Sequence, residues 1–203
     1  MFDSGVVLGI DPGLSRCGYG AVRRGRGGQA EAVAYGVIRT SKDDPLELRL
    51  LALSRELEDL VDELRPTAVA VERVLFQVNV RTAMSVGQAS GLAMVAAARR
   101  GIPLAHYSPN EVKQAVVGYG GADKLQVQTM VTALLRLDAM PEPPDAADAL
   151  ALALAHSWGG ALRLRTEHAA GVGAPIGSTG GTGSAGSKLQ AAVDAAIAKE
   201  GSR

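Results

Sequence analysis

The stretch that decides the fold is Val6-Val7-Leu8-Gly9-Ile10-Asp11-Pro12-Gly13, near the start of this 203-residue chain. Its first five residues are apolar or small without polar alternation, which is typical of a strand covered on both faces. The run stops at an acid followed by a Pro-Gly turn, so Asp11 falls at the carboxyl end of that strand. We therefore expect a buried central strand with helices on both sides.

The elements that follow this strand complete an α/β pattern. Two strands are predicted at 18–22 and 32–38, and their spacing from the first is typical of an antiparallel meander. The leucine spacing then becomes helical up to residue 64, with Asp44 predicted as the N-cap and Pro45 at the first helical position. The remaining predictions are strands at 67–71 and 102–107 and helices at 80–100, 109–117, 123–137 and 145–158. This order predicts a five-stranded mixed sheet flanked by helices.

Composition excludes several classes of protein. The 21 basic residues balance the 21 acids, so the chain has no overall basic character. A single cysteine, Cys17, excludes an internal disulfide framework and a cysteine-based zinc site. The N-terminus lacks the basic segment of a secretory signal, and no apolar stretch reaches the roughly 18 residues of a membrane span. We expect a soluble, cytoplasmic protein without a membrane partner.

The end of the chain differs in composition from the rest. Gly, Ala, Ser and Thr dominate residues 169–187, which offer few large apolar side chains to bury. Such a segment cannot offset the entropy cost of ordering. We therefore expect one folded domain over residues 1–166 and a Gly/Ala/Ser-rich, disordered tail over residues 167–203.

Four acids lie where predicted elements end or begin, namely Asp11, Glu72, Asp145 and Asp148. Taken singly, they also fit a turn, a surface ion pair with Arg73, or helix-capping acids. Acids placed just past apolar strands are costly unless they are solvated, paired or bound to a cation. Carboxylates without nearby His or Cys select Mg²⁺, which Mn²⁺ can replace, over zinc. Converging carboxylates can hold two such ions about 3.5–4 Å apart for phosphodiester hydrolysis.

Four segments in the same order resemble the RuvC family of Holliday junction resolvases, which have a ribonuclease H-like fold. The similarity covers about residues 5–158 and leaves out the glycine-rich tail. The segments are Ile10-Asp11-Pro12-Gly13, Val71-Glu72-Arg73-Val74, Val112-Lys113-Gln114-Ala115-Val116-Val117-Gly118 and Asp145-Ala146-Ala147-Asp148-Ala149-Leu150-Ala151.

The resemblance implies roles for residues at matching positions. The four acids would be the metal-binding catalytic carboxylates, and Lys113 and Lys124 would act near the scissile phosphate. A member of this family acts as a homodimer that nicks two strands of a four-way DNA junction symmetrically. It works in recombination and repair, beside the RuvA–RuvB branch-migration complex.

Several other residues are candidates for DNA contact. Residues 66–136 carry seven bases and three acids, and Arg73 and Arg81 in this segment can track phosphates. An ordinary solvated surface is the alternative. Tyr119 lies in a Gly-rich loop and is either a base or sugar contact or part of a simple hinge. The small residues of helix 80–100 fit either packing on their own sheet or a dimer contact.

The chain departs from the family just after Glu72. RuvC proteins usually carry an aromatic residue three positions past this glutamate, where it stacks on an unpaired base. Here Leu75 occupies that position and Phe76 follows it. We expect Phe76 to contact the DNA, with burial in the core as the alternative.

Other functions remain open from the residues alone. A ribonuclease H-like nuclease acting on RNA or another branched DNA would use the same acids. An ATPase of the actin and Hsp70 class shares the first Gly-x-Asp-x-Gly loop but needs a second subdomain, for which this chain is too short. A non-catalytic junction-binding module is a further alternative. The four acids argue against it, because acids that face phosphates do not favour DNA binding.

Overall fold

The computed structural model describes residues 5–25, 29–73 and 80–169, all within one compact unit that spans residues 1–173. The elements in chain order are strands β1 (Val6–Asp11), β2 (Arg16–Arg24) and β3 (Ala30–Arg39), helix α1 (Leu46–Leu64), strand β4 (Ala68–Glu72), helix α2 (Val80–Arg99), strand β5 (Leu104–Tyr107), and helices α3 (Pro109–Val117), α4 (Lys124–Leu135) and α5 (Pro144–Ala169). The predicted five-stranded mixed sheet flanked by helices is confirmed. Phe76 and the chain beyond residue 169 lie outside the described residues.

The sheet has the strand order β3-β2-β1-β4-β5, with β1 at its centre. The predicted meander is present, since β1, β2 and β3 pair antiparallel, whereas β1, β4 and β5 run parallel. Ile10 of β1 lies opposite Val71 of β4. The next residues of these two strands, Asp11 and Glu72, therefore lie side by side at the carboxyl edge.

Helices cover both faces of the sheet, which explains the continuous apolar run of β1. Helices α1 and α2 pack on one face, around a core that includes Leu8, Ile10, Leu53, Leu57 and Val71. Helices α3, α4 and α5 pack on the other face, around Val7, Val22, Ala70, Leu150 and Leu154. In the described part of the chain, no helix has both the length and the apolar character needed to cross a membrane.

Helix α5 lies directly on the centre of the sheet because glycines face it. A Cβ atom on Gly9 would lie 2.0 Å from the Ala149 carbonyl oxygen, and one on Gly18 would lie 2.2 Å from the Asp145 carbonyl oxygen. Only glycine allows the two backbones to approach so closely. The same contact fixes the first turns of α5, and with them Asp145 and Asp148, beside the end of β1.

The start of α1 corrects one sequence prediction. The helix begins at Leu46, Pro45 is its N-cap, and no side chain caps it, so Asp44 as N-cap is wrong. Pro45 has an extended ψ of 147°, which places it outside the helix. Glu47 is then the second helical residue. A capping box needs its Glu or Gln at the third helical position, so Glu47 cannot form one.

Candidate active site

The structure brings the four predicted acids together at one edge of the sheet. Asp11 and Glu72 come from the adjacent ends of β1 and β4, and Asp145 and Asp148 come from the first turns of α5. Burial, then the negative charges of Glu72, Asp148 and Asp145, raise the pKa of Asp11 to about 7 against the opposing effect of Lys124. Burial and the charge of Asp148 also raise the pKa of Glu72. Burial and repulsion between the acids therefore both disfavour the ionised carboxylates, and a nearby cation would stabilise them.

Two side-chain cations already engage the acids of α5. Arg16 forms an ion pair with Asp145, and the Lys124 ammonium lies 2.6 Å from a carboxylate oxygen of Asp148. Burial lowers the pKa of Lys124, but the hydrogen bond and charge of Asp148, with the charges of Asp11 and Asp145, outweigh it and raise that pKa. In the described structure, Asp145 and Asp148 are thus held by charges from the chain itself.

Both predicted lysines lie beside the acids. Lys113 and Lys124 line a cavity of about 240 Å³ together with Glu72 and Asp148. The rest of its lining is mainly apolar, with Pro109, Val112, Val127, Ala151 and Leu152. Such a wall excludes water on one side and strengthens the electrostatic interactions of the lysines and acids.

Capping boxes position the helices that carry these lysines. Ser108 caps α3, with its hydroxyl accepting from the Glu111 N–H and its own N–H donating to the Glu111 carboxylate. Asp123 caps α4 in the same way, with Gln126 as the reciprocal partner. Lys124 is the first residue of α4, so its side chain starts from a fixed backbone next to the site.

The sequence also predicts DNA contacts by Arg73, Tyr119 and Arg81. Arg73 is exposed directly after β4, and its backbone N–H donates to the Tyr107 carbonyl. Tyr119 is exposed in the loop between α3 and α4. Neither side chain lines the cavity. Arg81 lies in the first turn of α2, and its side chain is outside the described part.

Two arginines support the site but were not predicted from the sequence. Arg16 was missed because its partner Asp145 is 129 positions away, and only the packing of α5 on β2 brings them together. Arg49 of α1 was missed too. Its guanidinium donates to the hydroxyls of Thr40, at 3.0 Å, and Ser15, at 2.7 Å. These bonds hold the turn that follows Asp11 against α1.

The donor set fits a hard divalent cation. Among residues 5–25, 29–73 and 80–169, no three Asp, Glu, His or Cys side chains already converge closely enough to hold an ion. Asp145 and Asp148 instead face the charges of Arg16 and Lys124. All four candidate ligands are nevertheless carboxylates, the donors that Mg²⁺ and Mn²⁺ prefer. Burial and the neighbouring acids together raise the pKa of Asp11 and Glu72, and a bound ion would offset both effects.

Comparisons with known proteins point to one family. The model of the family described as crossover junction endodeoxyribonuclease RuvC matches residues 7–156. The chain is 58% identical over 164 residues to the protein of that name from Salinispora arenicola, covering 81% of this chain and 94% of the relative. It is 54% identical over 173 residues to the one from Streptomyces avermitilis, covering 85% and 98%.

A solved structure gives the same result. Thermus thermophilus RuvC in complex with a Holliday junction substrate matches the chain with a TM-score of 0.74 and 37% sequence identity. The match covers 79% of this chain and 97% of the Thermus protein. The likeness therefore extends over the sheet and the helices that position the four acids.

Proposed function

This chain belongs to the RuvC family of crossover junction endodeoxyribonucleases, and from that premise we propose that Asp11, Glu72, Asp145 and Asp148 form the centre with which it cleaves Holliday junctions. The observation that carries this proposal is that the four acids lie at one edge of the sheet, where their charges interact, with two lysines beside Glu72 and Asp148. Nucleases of this family depend on a divalent metal. A site of this kind suits phosphodiester hydrolysis because acids bind the metal and lysines balance the phosphate charge.

The four carboxylates would hold the metal. We propose Mg²⁺, with two ions per site and Mn²⁺ as a substitute, because the donors are all carboxylate oxygens. When bound, such ions activate water and stabilise the charge on the phosphate during in-line hydrolysis. Asp11 lies next to Glu72 in the sheet and interacts with both acids of α5, so it is the common member of the set.

The lysines would act on the phosphate rather than on the metal. Lys124 is bound to Asp148 in the free protein, and its exposed ammonium would be available to a phosphate when that acid holds a metal instead. Lys113 faces the same cavity from α3. Both charges lie against an apolar wall, where their attraction for a phosphate is stronger than in bulk water.

Other DNA contacts are proposed at the margins of the site. Arg73, exposed next to Glu72, and Arg81 would contact phosphates. Tyr119 would contact a base or sugar from its exposed loop. Phe76 would stack on a base that is unpaired at the junction, where such stacking contributes about 1–3 kcal/mol per base.

We propose that two copies of the chain act together through α2. Its outer face is apolar and open, with Val80 exposed by 74% and Met84 by 62%. Gly87, one turn further on, has open space where a Cβ would lie, so a second helix could approach closely. Exposed apolar faces of this kind mark interaction surfaces. A homodimer would place two active sites on one junction and produce paired, symmetric nicks.

The wider setting of the reaction follows from the family. We propose that the protein acts in homologous recombination and repair, on junctions moved by the RuvA–RuvB complex. The nuclease domain would comprise residues 1–166, with residues 167–203 as a tail, although helix α5 continues past this boundary to Ala169.

The proposed function is tested with a synthetic four-way junction. A linear duplex of the same sequence and an RNA duplex serve as controls, and each is incubated with Mg²⁺ or with EDTA. We expect paired nicks in the junction alone and only with the metal, and the nicked products should be ligatable. Equal cleavage of the linear or RNA duplex would contradict junction selectivity, and cleavage in EDTA would contradict the metal site.

A further inference from the structure

Arg16 lies beside the acids of the candidate active site. It is the first residue of β2, and its guanidinium pairs with Asp145 while its side chain stays 45% exposed. Directly opposite on β3 lies Arg39, on the same face of the sheet. Like charges opposite one another repel, which favours turning Arg16 toward the acid.

Arg16 and Lys124 have matching relations to the two acids of α5. Lys124 is 59% exposed and pairs with Asp148, just as Arg16 pairs with Asp145. Each acid is 25% exposed. In both pairs, therefore, a solvent-accessible cation sits on an acid that a divalent ion would need.

The backbone around Arg16 is fixed, whereas its side chain is free to turn. Arg49 holds the preceding turn through Ser15 and Thr40, and Thr40 itself donates to the Leu14 carbonyl at 2.6 Å. A change of partner at Arg16 then needs only rotation of an exposed side chain. An exposed ion pair adds little to folding stability. Stability alone therefore does not explain why an arginine occupies this position.

We propose that Arg16 is a substrate-binding residue that pairs with Asp145 in the free protein and turns to a DNA phosphate when a divalent ion occupies the acids. The inference rests on the proposed function of the site. A guanidinium suits the second role because its planar fork donates two parallel hydrogen bonds to a phosphate. Arg16 would thus compete with the metal before DNA binds and contribute to affinity afterwards.

The two roles predict opposite effects of a single substitution. Arg16→Gln removes the competing charge, so the free protein should bind Mn²⁺ about two- to fivefold more tightly, measured from the electron paramagnetic resonance signal of free Mn²⁺. The same variant should bind a four-way junction more weakly in Ca²⁺. The slope of log affinity against log salt should fall by about one for each Arg16 that contacts a phosphate.

Two further variants separate this role from a structural one. Arg16→Lys keeps the charge and should keep most of the salt dependence. Arg99→Gln is the matched control, because Arg99 is 64% exposed and pairs with Glu58 on α1. It should behave as wild type in both assays, and melting curves should show that all three variants are folded.

The outcomes distinguish this inference from the proposed function. Weaker Mn²⁺ binding by Arg16→Gln, or an unchanged salt slope, would overturn the role of Arg16. A wild-type protein that binds no Mn²⁺, or that does not prefer the junction to a linear duplex, would instead overturn the proposed function. Wild-type binding of both, with the two opposite shifts in Arg16→Gln, would support the inference.

Discussion

Asp11→Asn is expected to make the metal-free protein more stable at pH 8, although it removes a side chain that the proposed site needs. Burial and neighbouring acids raise the pKa of Asp11 from 3.8 to about 7. Because this pKa is raised in the folded state, the free energy of unfolding falls as the pH rises from about 4 to about 7. A shift of three units at 1.36 kcal/mol each corresponds to about 4 kcal/mol at most.

The gain from the substitution follows the same pH window. Wild type loses part of its free energy of unfolding when the buried Asp11 ionises. Asparagine does not ionise, so the variant does not lose this stability as the pH rises. We expect a gain of about 1 kcal/mol at pH 4.5, where the unfolded carboxyl is already mostly ionised, and a gain of about 2–4 kcal/mol at pH 8. In a protein of this size that gain corresponds to about 5–12 °C in Tm. Added Mg²⁺ should stabilise wild type and leave the variant nearly unchanged.

Urea unfolding in EDTA, repeated between pH 4.5 and pH 8.5, measures this difference directly. Asp62→Asn is the matched control, because Asp62 is exposed on α1 and its hydrogen bond to Arg100 lowers its pKa. Its removal should bring no gain at any pH. If Asp11→Asn were no more stable than wild type at pH 8, the reasoning from burial and repulsion at the four acids would be refuted.

Three further predictions concern the lysines, the sheet and the dimer. Lys113→Met should lower single-turnover cleavage more than junction affinity, and an equal loss of both would make Lys113 a binding residue only. Gly9→Ala should cost about 1–3 kcal/mol in urea unfolding, because its Cβ meets the backbone of α5, whereas Gly159→Ala has open space and should cost nothing. Met84→Glu should convert dimer to monomer in light scattering while the chain stays folded, and an unchanged dimer would exclude the outer face of α2 as the interface.

The sheet and the strand-end acids could be predicted because the signals are local. An apolar run without alternation identified β1 as central, and an acid after each of two such runs identified Asp11 and Glu72. Parallel neighbouring strands end at the same edge, so these two acids had to meet once β1 and β4 were paired. The first turns of α5 were also visible, as two acids three positions apart.

The rest depends on packing that no local pattern records. The pair of Arg16 and Asp145 forms only because glycines let α5 lie against β2. Arg49 resembled an ordinary helix residue, although it holds the turn after Asp11. At α1 the predicted cap failed because the extended conformation of Pro45 moved the start of the helix by one position.

The role of the four acids is tested most directly by single-turnover cleavage of a synthetic four-way junction in Mg²⁺, with junction affinity measured on the same samples. Wild type, Asp11→Asn and Glu72→Gln are compared. Both amides should abolish cleavage while junction binding survives or tightens, since each keeps the shape of the side chain and removes a charge that repels phosphates. Cleavage by Asp11→Asn at close to the wild-type rate would show that these carboxylates are not the catalytic centre.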